Sequence, residues 1–177
     1  MSKSTFKILH DNNKLTILNN SDEFLFASLW FMEFGKTVSE VFNSQERKLF
    51  TLVKKFQFWK WRMVFKVEDS SESKFILISQ NARNTIYKLN YKNNTYEIKI
   101  HYKKRTSIFK NDIKIAELDA SFSSEEFSNS IKLVTTKAKE IEVIFMLFSC
   151  LKIGDSDQQK PVLKSQKQLE SIRDPWT

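Results

Sequence analysis

Residues Ile141 to Leu151, IEVIFMLFSCL, set the tightest limit on what this chain can fold into. The run is apolar on nearly every side. A bilayer span needs roughly 20 apolar residues, and a run of roughly 10 to 14 is more often a buried core helix. A helix that is hydrophobic all round has to be enclosed by protein. The stretch before it reads mostly as strands, so the expected architecture is a shell of strands with one late helix as its plug. Lys152 in the last turn and Gly154 just beyond mark the end of that helix. Thr135 or Thr136 is placed to cap its start, with Glu140 near the first turns.

The strand reading rests on short runs separated by turn signals. They fall at Phe6 to Leu9, Leu15 to Leu18, Phe24 to Phe31, Thr37 to Phe42, Lys48 to Val53, Arg62 to Val67, Phe75 to Ser79, Ile86 to Tyr91, Tyr96 to Tyr102, Thr106 to Lys110, the IKIAEL run and Ser130 to Val134. The clearest is Tyr96 to Tyr102. Tyr96, Ile98, Ile100 and Tyr102 face one way, while Glu97, Lys99, His101 and Lys103 face the other, as in a strand with one wet face. With only two glycines, Gly35 and Gly154, the turns must use Asn and Asp, which tolerate left-handed backbone. Asp11-Asn12-Asn13, Asn19-Asn20, Asn93-Asn94 and Asn111-Asp112 are so placed.

About a dozen strands are many for one open sheet, and closure removes exposed edges. The expected fold is therefore mainly β: an antiparallel barrel of about twelve strands closed around a central C-terminal hydrophobic helix. The helix is expected at about 138–152, within a domain of residues 1–154. Residues 155–177 are polar, with Pro161 and Pro175, and read as a tail with room for a short helix at Leu163 to Ile172. KLFTLVKKFQFWKWRMVFKVED and YEIKIHYKKRTSIFKNDIKIAEL share a strand, basic turn, strand order. An internal duplication and the ordinary grammar of hairpins both account for it.

Enzyme chemistry finds little foothold. The glycine count excludes glycine-rich phosphate loops, the dinucleotide fingerprint and the nucleophile elbow. His10 and His101 have no Cys or carboxylate at ligand spacing, so neither a metal nor any other cofactor is expected. Glu125-Glu126 and Asp155/Asp157 read as solvated loops. Cys150, the one cysteine, lies inside the apolar run and reads as core. The expectation is a non-catalytic domain. The N-terminus lacks the apolar core of a signal peptide, and no segment is long enough to span a bilayer as a helix. A cytoplasmic location, with room for peripheral contact with a membrane, is the expectation.

Net charge is +8, which favours acidic partners. The cations that cluster do so beside aromatics. Lys54, Lys55, Lys60 and Arg62 interleave with Phe56, Phe58, Trp59 and Trp61. Lys103, Lys104 and Arg105 form the densest basic trio, at an expected strand-to-strand turn. Together these are candidate anion-binding residues, with Trp59 and Trp61 as candidate interfacial aromatics. Rings and cations of this kind share the headgroup zone of a membrane interface. The same residue types hold single-stranded nucleic acid, the less favoured partner. A third reading packs Trp59 and Trp61 into the barrel while the lysines snorkel into water. Two functions follow: docking on an anionic phospholipid surface or another anion, or a soluble protein-interaction or structural domain whose charge is incidental, with an acidic protein as partner.

The element order resembles the Tubby C-terminal-like superfamily, shared by tubby proteins, phospholipid scramblases and LURP-one-related proteins. The residues that carry the likeness are WKWRMVFKVED (Trp59 to Asp69), YEIKIHYKKRTSIFKNDIKIAEL (Tyr96 to Leu118) and IEVIFMLFSCLKIG (Ile141 to Gly154). The resemblance implies a twelve-stranded barrel around a central helix, and a link to membrane phospholipids or phosphoinositides. No stretch matches the tubby phosphoinositide motif residue by residue, so no ligand set is carried over.

Overall fold

A computed structural model describes residues 3–101, 105–120, 130–154 and 176. The strands are β1 (Ser4–Asp11), β2 (Lys14–Leu18), β3 (Phe24–Glu33), β4 (Lys36–Asn43), β5 (Lys48–Gln57), β6 (Arg62–Asp69), β7 (Lys74–Ser79), β8 (Ile86–Tyr91), β9 (Asn94–Ile100), β10 (Arg105–Lys110), β11 (Ile113–Asp119) and β12 (Ser130–Thr135). Each pairs antiparallel with the next, and β1 closes on β12 from Ser4 opposite Thr135 to Leu9 opposite Ser130. The expected closed barrel is what forms, and its ring leaves no free edge among the described residues.

The turns explain how so few glycines suffice. Asn12, Asn111 and Asp112 take positive φ at hairpin turns, as the sequence suggested. At the β8–β9 turn the left-handed pair is Lys92 and Asn93, one residue earlier than expected. After β2 it is Asp22 that turns left-handed. The Asn19 carboxamide instead accepts from the backbone N–H groups of Ser21 and Glu23. An Asx-type side chain can set a turn by hydrogen bonding without itself leaving the common backbone regions.

A turn of 3-10 helix, Ala138–Glu140, leads into α1 (Ile141–Lys152). Seven successive residues of α1, Ile144 to Cys150, are buried. Since seven residues go nearly twice round a helix, every face is covered. The helix is inside the barrel, with Phe145 stacked on Phe26 at 6.2 Å between ring centroids. Burial pushes the Cys150 thiol up, away from reactivity. Thr135 does not cap the helix. Its hydroxyl donates to the Ile115 carbonyl at 2.7 Å and accepts from the Lys137 N–H. Glu140 occupies the capping position without a side-chain cap bond. Its carboxylate is held instead by Lys110 at 2.5 Å and by the Tyr96 hydroxyl at 2.7 Å.

The direction of α1 follows from these contacts. β12 ends at Thr135 beside the start of β1, so the helix enters from that end. It leaves at the opposite end, where the Lys54 ammonium near the tip of β5 donates to the Ile153 carbonyl at 2.7 Å. Gly154 then turns at φ +80 beside Lys54 and Thr37.

Alternation holds where the outer wall faces water and fails where it does not. In β8, Tyr87, Leu89 and Tyr91 are buried while Lys88 and Asn90 are exposed. In β11, Ile115 to Asp119 are all buried, so both of its faces are covered. His101, expected on a wet face, is buried on this side of the barrel, with its Nε2 2.9 Å from the Ser107 hydroxyl. Tyr102, the pairs Glu125-Glu126 and Asp155/Asp157, and the suggested helix at Leu163 to Ile172 lie outside the described residues.

Candidate functional site

Odd-numbered strands run toward the end where α1 emerges, so the β3–β4 and β5–β6 turns both lie there. They are neighbours, because β4 pairs with β5 from Thr37 opposite Lys54 onward. Together they form an apolar rim. Met32 and Phe34 project from the first turn, and Phe56, Phe58, Trp59 and Trp61 from the second. Phe34 is 95% exposed, Trp59 82% and Trp61 68%. Trp59 and Trp61 are therefore not barrel core. Trp30 is the tryptophan that packs inward.

The backbone at these turns is unusual. Phe34 and Gly35 form the two-residue β3–β4 turn, both at positive φ. Trp61 is also left-handed, at φ 46, and closes the 3-10 turn Phe58–Lys60 through its N–H to the Phe58 carbonyl. A bulky side chain at positive φ is a genuine outlier, where Gly or Asn would sit without strain. Positions of this kind cost on the order of 1–3 kcal/mol each and concentrate at functional sites. Phe56 makes edge contacts with Phe58 at 5.1 Å and with Trp61 at 6.1 Å. Those contacts organise the tip, yet leave most of each outer ring in water.

Cations surround the rim. Lys60 is exposed on the tip itself. Arg62 donates through Nε to the Gln57 side chain at 2.9 Å, tying the base of the hairpin. Lys54 is turned inward to the end of α1. Lys55 is on the outer wall, among Lys66 of β6 and Lys36 of β4. Repulsion from the Lys66 ammonium, then crowding of their hydrogen bonds, with smaller contributions from burial and from Lys36, pushes Lys55 below the ordinary lysine range. Among the described residues, Lys36, Lys55, Lys60 and Lys66 form no ion pair with a carboxylate. Lys36 and Lys66 escape a linear reading, because they reach Lys55 only through strand register. A scan for lysines that share one face of neighbouring strands, diagonal partners included, would have found them.

The second cluster has a different fate. Arg105 starts β10 at the same barrel end, but four strands farther round. Its guanidinium is taken by Glu117 at 3.3 Å and Asp119 at 3.2 Å, both from β11. The antiparallel register sets Arg105 opposite Asp119. Lys103 and Lys104 lie outside the described residues. No described helix is long and apolar enough to cross a membrane, and the described residues contain no cluster of metal-ligating side chains.

A family model for the Tubby C-terminal like domain matches residues 37–152, more than half of the chain. In structure, the chain is similar to the X-ray structure of a protein from Arabidopsis thaliana, with a TM-score of 0.53 and 9% identity, over 85% of this chain and 90% of that one. At that identity the likeness speaks for the fold alone. No curated protein matches the chain.

Proposed function

The chain belongs to the Tubby C-terminal like domain family, and from that premise we propose that it is a non-catalytic module that docks on an anionic phospholipid surface through the β3–β4 and β5–β6 rim. One observation carries the reading: two bulky aromatics, Phe34 and Trp61, hold strained left-handed backbone at adjacent tips while their rings stay in solvent. Burial within the chain does not offset that strain. Burial in the interfacial zone of a bilayer does, since rings of this kind partition there. Phe34, Phe58, Trp59 and Trp61 enter the headgroup region. Lys36, Lys55, Lys60 and Lys66 face the anionic surface, where a lysine contributes about 1 kcal/mol. Lys54 and Arg62 shape the rim from within, and Lys103 and Lys104 add charge from the β9–β10 connection. The docked protein is cytoplasmic and peripheral to the membrane.

Vesicle sedimentation tests this. The protein should pellet with phosphatidylcholine vesicles that contain phosphatidylserine, and stay in the supernatant with phosphatidylcholine alone. Binding should weaken as added salt shortens the screening length toward about 10 Å at 0.1 M. Equal recovery with both vesicles at low salt overturns the proposal. It would leave the exposed rim as a contact for a protein partner, to be sought by salt-insensitive capture.

A further inference from the structure

We propose that the outer wall of β11 is a docking site for a tryptophan-bearing peptide segment, which the chain fills with its own Trp176. Two ammonium groups lie over the Trp176 ring, Lys114 at 4.6 Å and Lys3 at 5.3 Å from the ring centroid. Its backbone N–H donates to Glu117 Oε2 at 2.9 Å. Glu117 is fully buried and also receives Lys114 and Arg105. The wall thus presents a carboxylate fixed by two cations as an acceptor for a main-chain N–H, beside two ammonium groups that reach an aromatic ring. Charge-assisted acceptors and cation–π contacts are directional interactions that suit one aromatic residue and its main-chain N–H.

The mode of recognition follows from topology. β11 is already paired with β10 on one side and with β12 on the other. From Ala116 to Asp119, which includes Glu117, its backbone is paired on both sides, so the occupant cannot add there as a strand. It is read through its ring and one N–H. Proline has no N–H, so in the Pro175-Trp176 pair the main-chain donor is that of Trp176.

A site filled by a tethered segment is saturable in trans once the tether is disabled. An occupant on the same chain has an effective concentration of about millimolar, so a micromolar peptide cannot compete with it. A fluorescein-labelled peptide spanning Leu169 to Thr177 should therefore bind full-length W176A protein saturably by fluorescence anisotropy, and bind the wild type at least tenfold more weakly. The same peptide with alanine in place of tryptophan should not bind W176A protein. If a W176A protein with the wild-type circular dichroism fails to bind, or if wild type and variant bind equally, or if the alanine peptide binds as well, the proposal is overturned. A second measurement needs no variant. In wild-type protein carrying 5-fluorotryptophan, millimolar unlabelled peptide should move one of the four tryptophan fluorine resonances, and four unmoved resonances would equally reject the site.

Discussion

The rim at β3–β6 and the wall at β10–β11 are both rich in cations, and they treat them in opposite ways. On the wall, Arg105 and Lys114 converge on a carboxylate that solvent does not reach, and Asp119 completes the set. At the rim, Lys36, Lys55 and Lys66 stand beside one another, and the nearest strong influence on Lys55 is another ammonium. A buried pair is costly to leave half made, whereas an exposed like-charged cluster is relieved by anything negative that approaches. The wall neutralises its cations within the chain, whereas among the described residues these rim lysines pair with no carboxylate.

The sharpest break in that contrast comes from Glu117. Glu117→Ala leaves two poorly solvated cations without their shared acceptor and should cost about 3–5 kcal/mol by urea denaturation. A loss below about 1 kcal/mol would put the wall and the rim on the same footing. Next comes the rim itself. Reversing Lys36, Lys55 and Lys66 to Glu removes at least about 3 kcal/mol of attraction to an anionic surface, at about 1 kcal/mol per lysine. Vesicle affinity should fall by roughly two orders of magnitude, with no loss of the folded circular dichroism spectrum. Unchanged affinity would reject these lysines as the contact.

A smaller effect separates rings from charges. Burying a large apolar side chain is worth about 1.5–3 kcal/mol, so Trp59→Ser should weaken vesicle binding by roughly tenfold. Trp59 is mostly in solvent, so folding stability should move by no more than about 0.5 kcal/mol. A larger stability loss would show that the ring serves the fold. The smallest effect concerns Lys55. Its folded pKa lies below its unfolded value, so the charged form is disfavoured in the native state. The penalty is fully present at neutral pH and is relieved as pH rises through the depressed pKa toward the ordinary 10.5. Lys55→Gln should therefore raise the melting temperature slightly at pH 7, and the gain should vanish above pH 10.5. A gain that persists there would assign it to packing.

These contrasts also show what a sequence carries and what it withholds. The barrel was readable because its signals are local. Period-two runs, Asn and Asp turns and one helix apolar all round each lie within a few residues. The β5–β6 tip was readable for the same reason, since Phe56 to Trp61 are contiguous. Met32, Phe34, Lys36 and Lys66 belong to the same surface but arrive from other strands, and only the β4–β5 and β5–β6 registers bring them in. The pairing of Arg105 was hidden likewise, because its carboxylates lie on the far side of a hairpin turn. His101 shows the limit of alternation as a guide. A period of two says which residues share a face, but not whether that face is wet.

The order in which the chain is made gives the central helix one more consequence. Every strand that surrounds α1 precedes it in the polypeptide, and β1 finds its last partner only in β12. During synthesis, all twelve strands leave the ribosome before the piece they must wrap around. Closure of β1 on β12 and the seating of α1 are the distant contacts in an otherwise consecutive ring. Distant contacts form slowly and leave strands unpaired while they wait. A chain stopped just ahead of Ile141 should therefore expose the wall meant for α1 and aggregate instead of forming a shortened domain, which light scattering of that truncation would show.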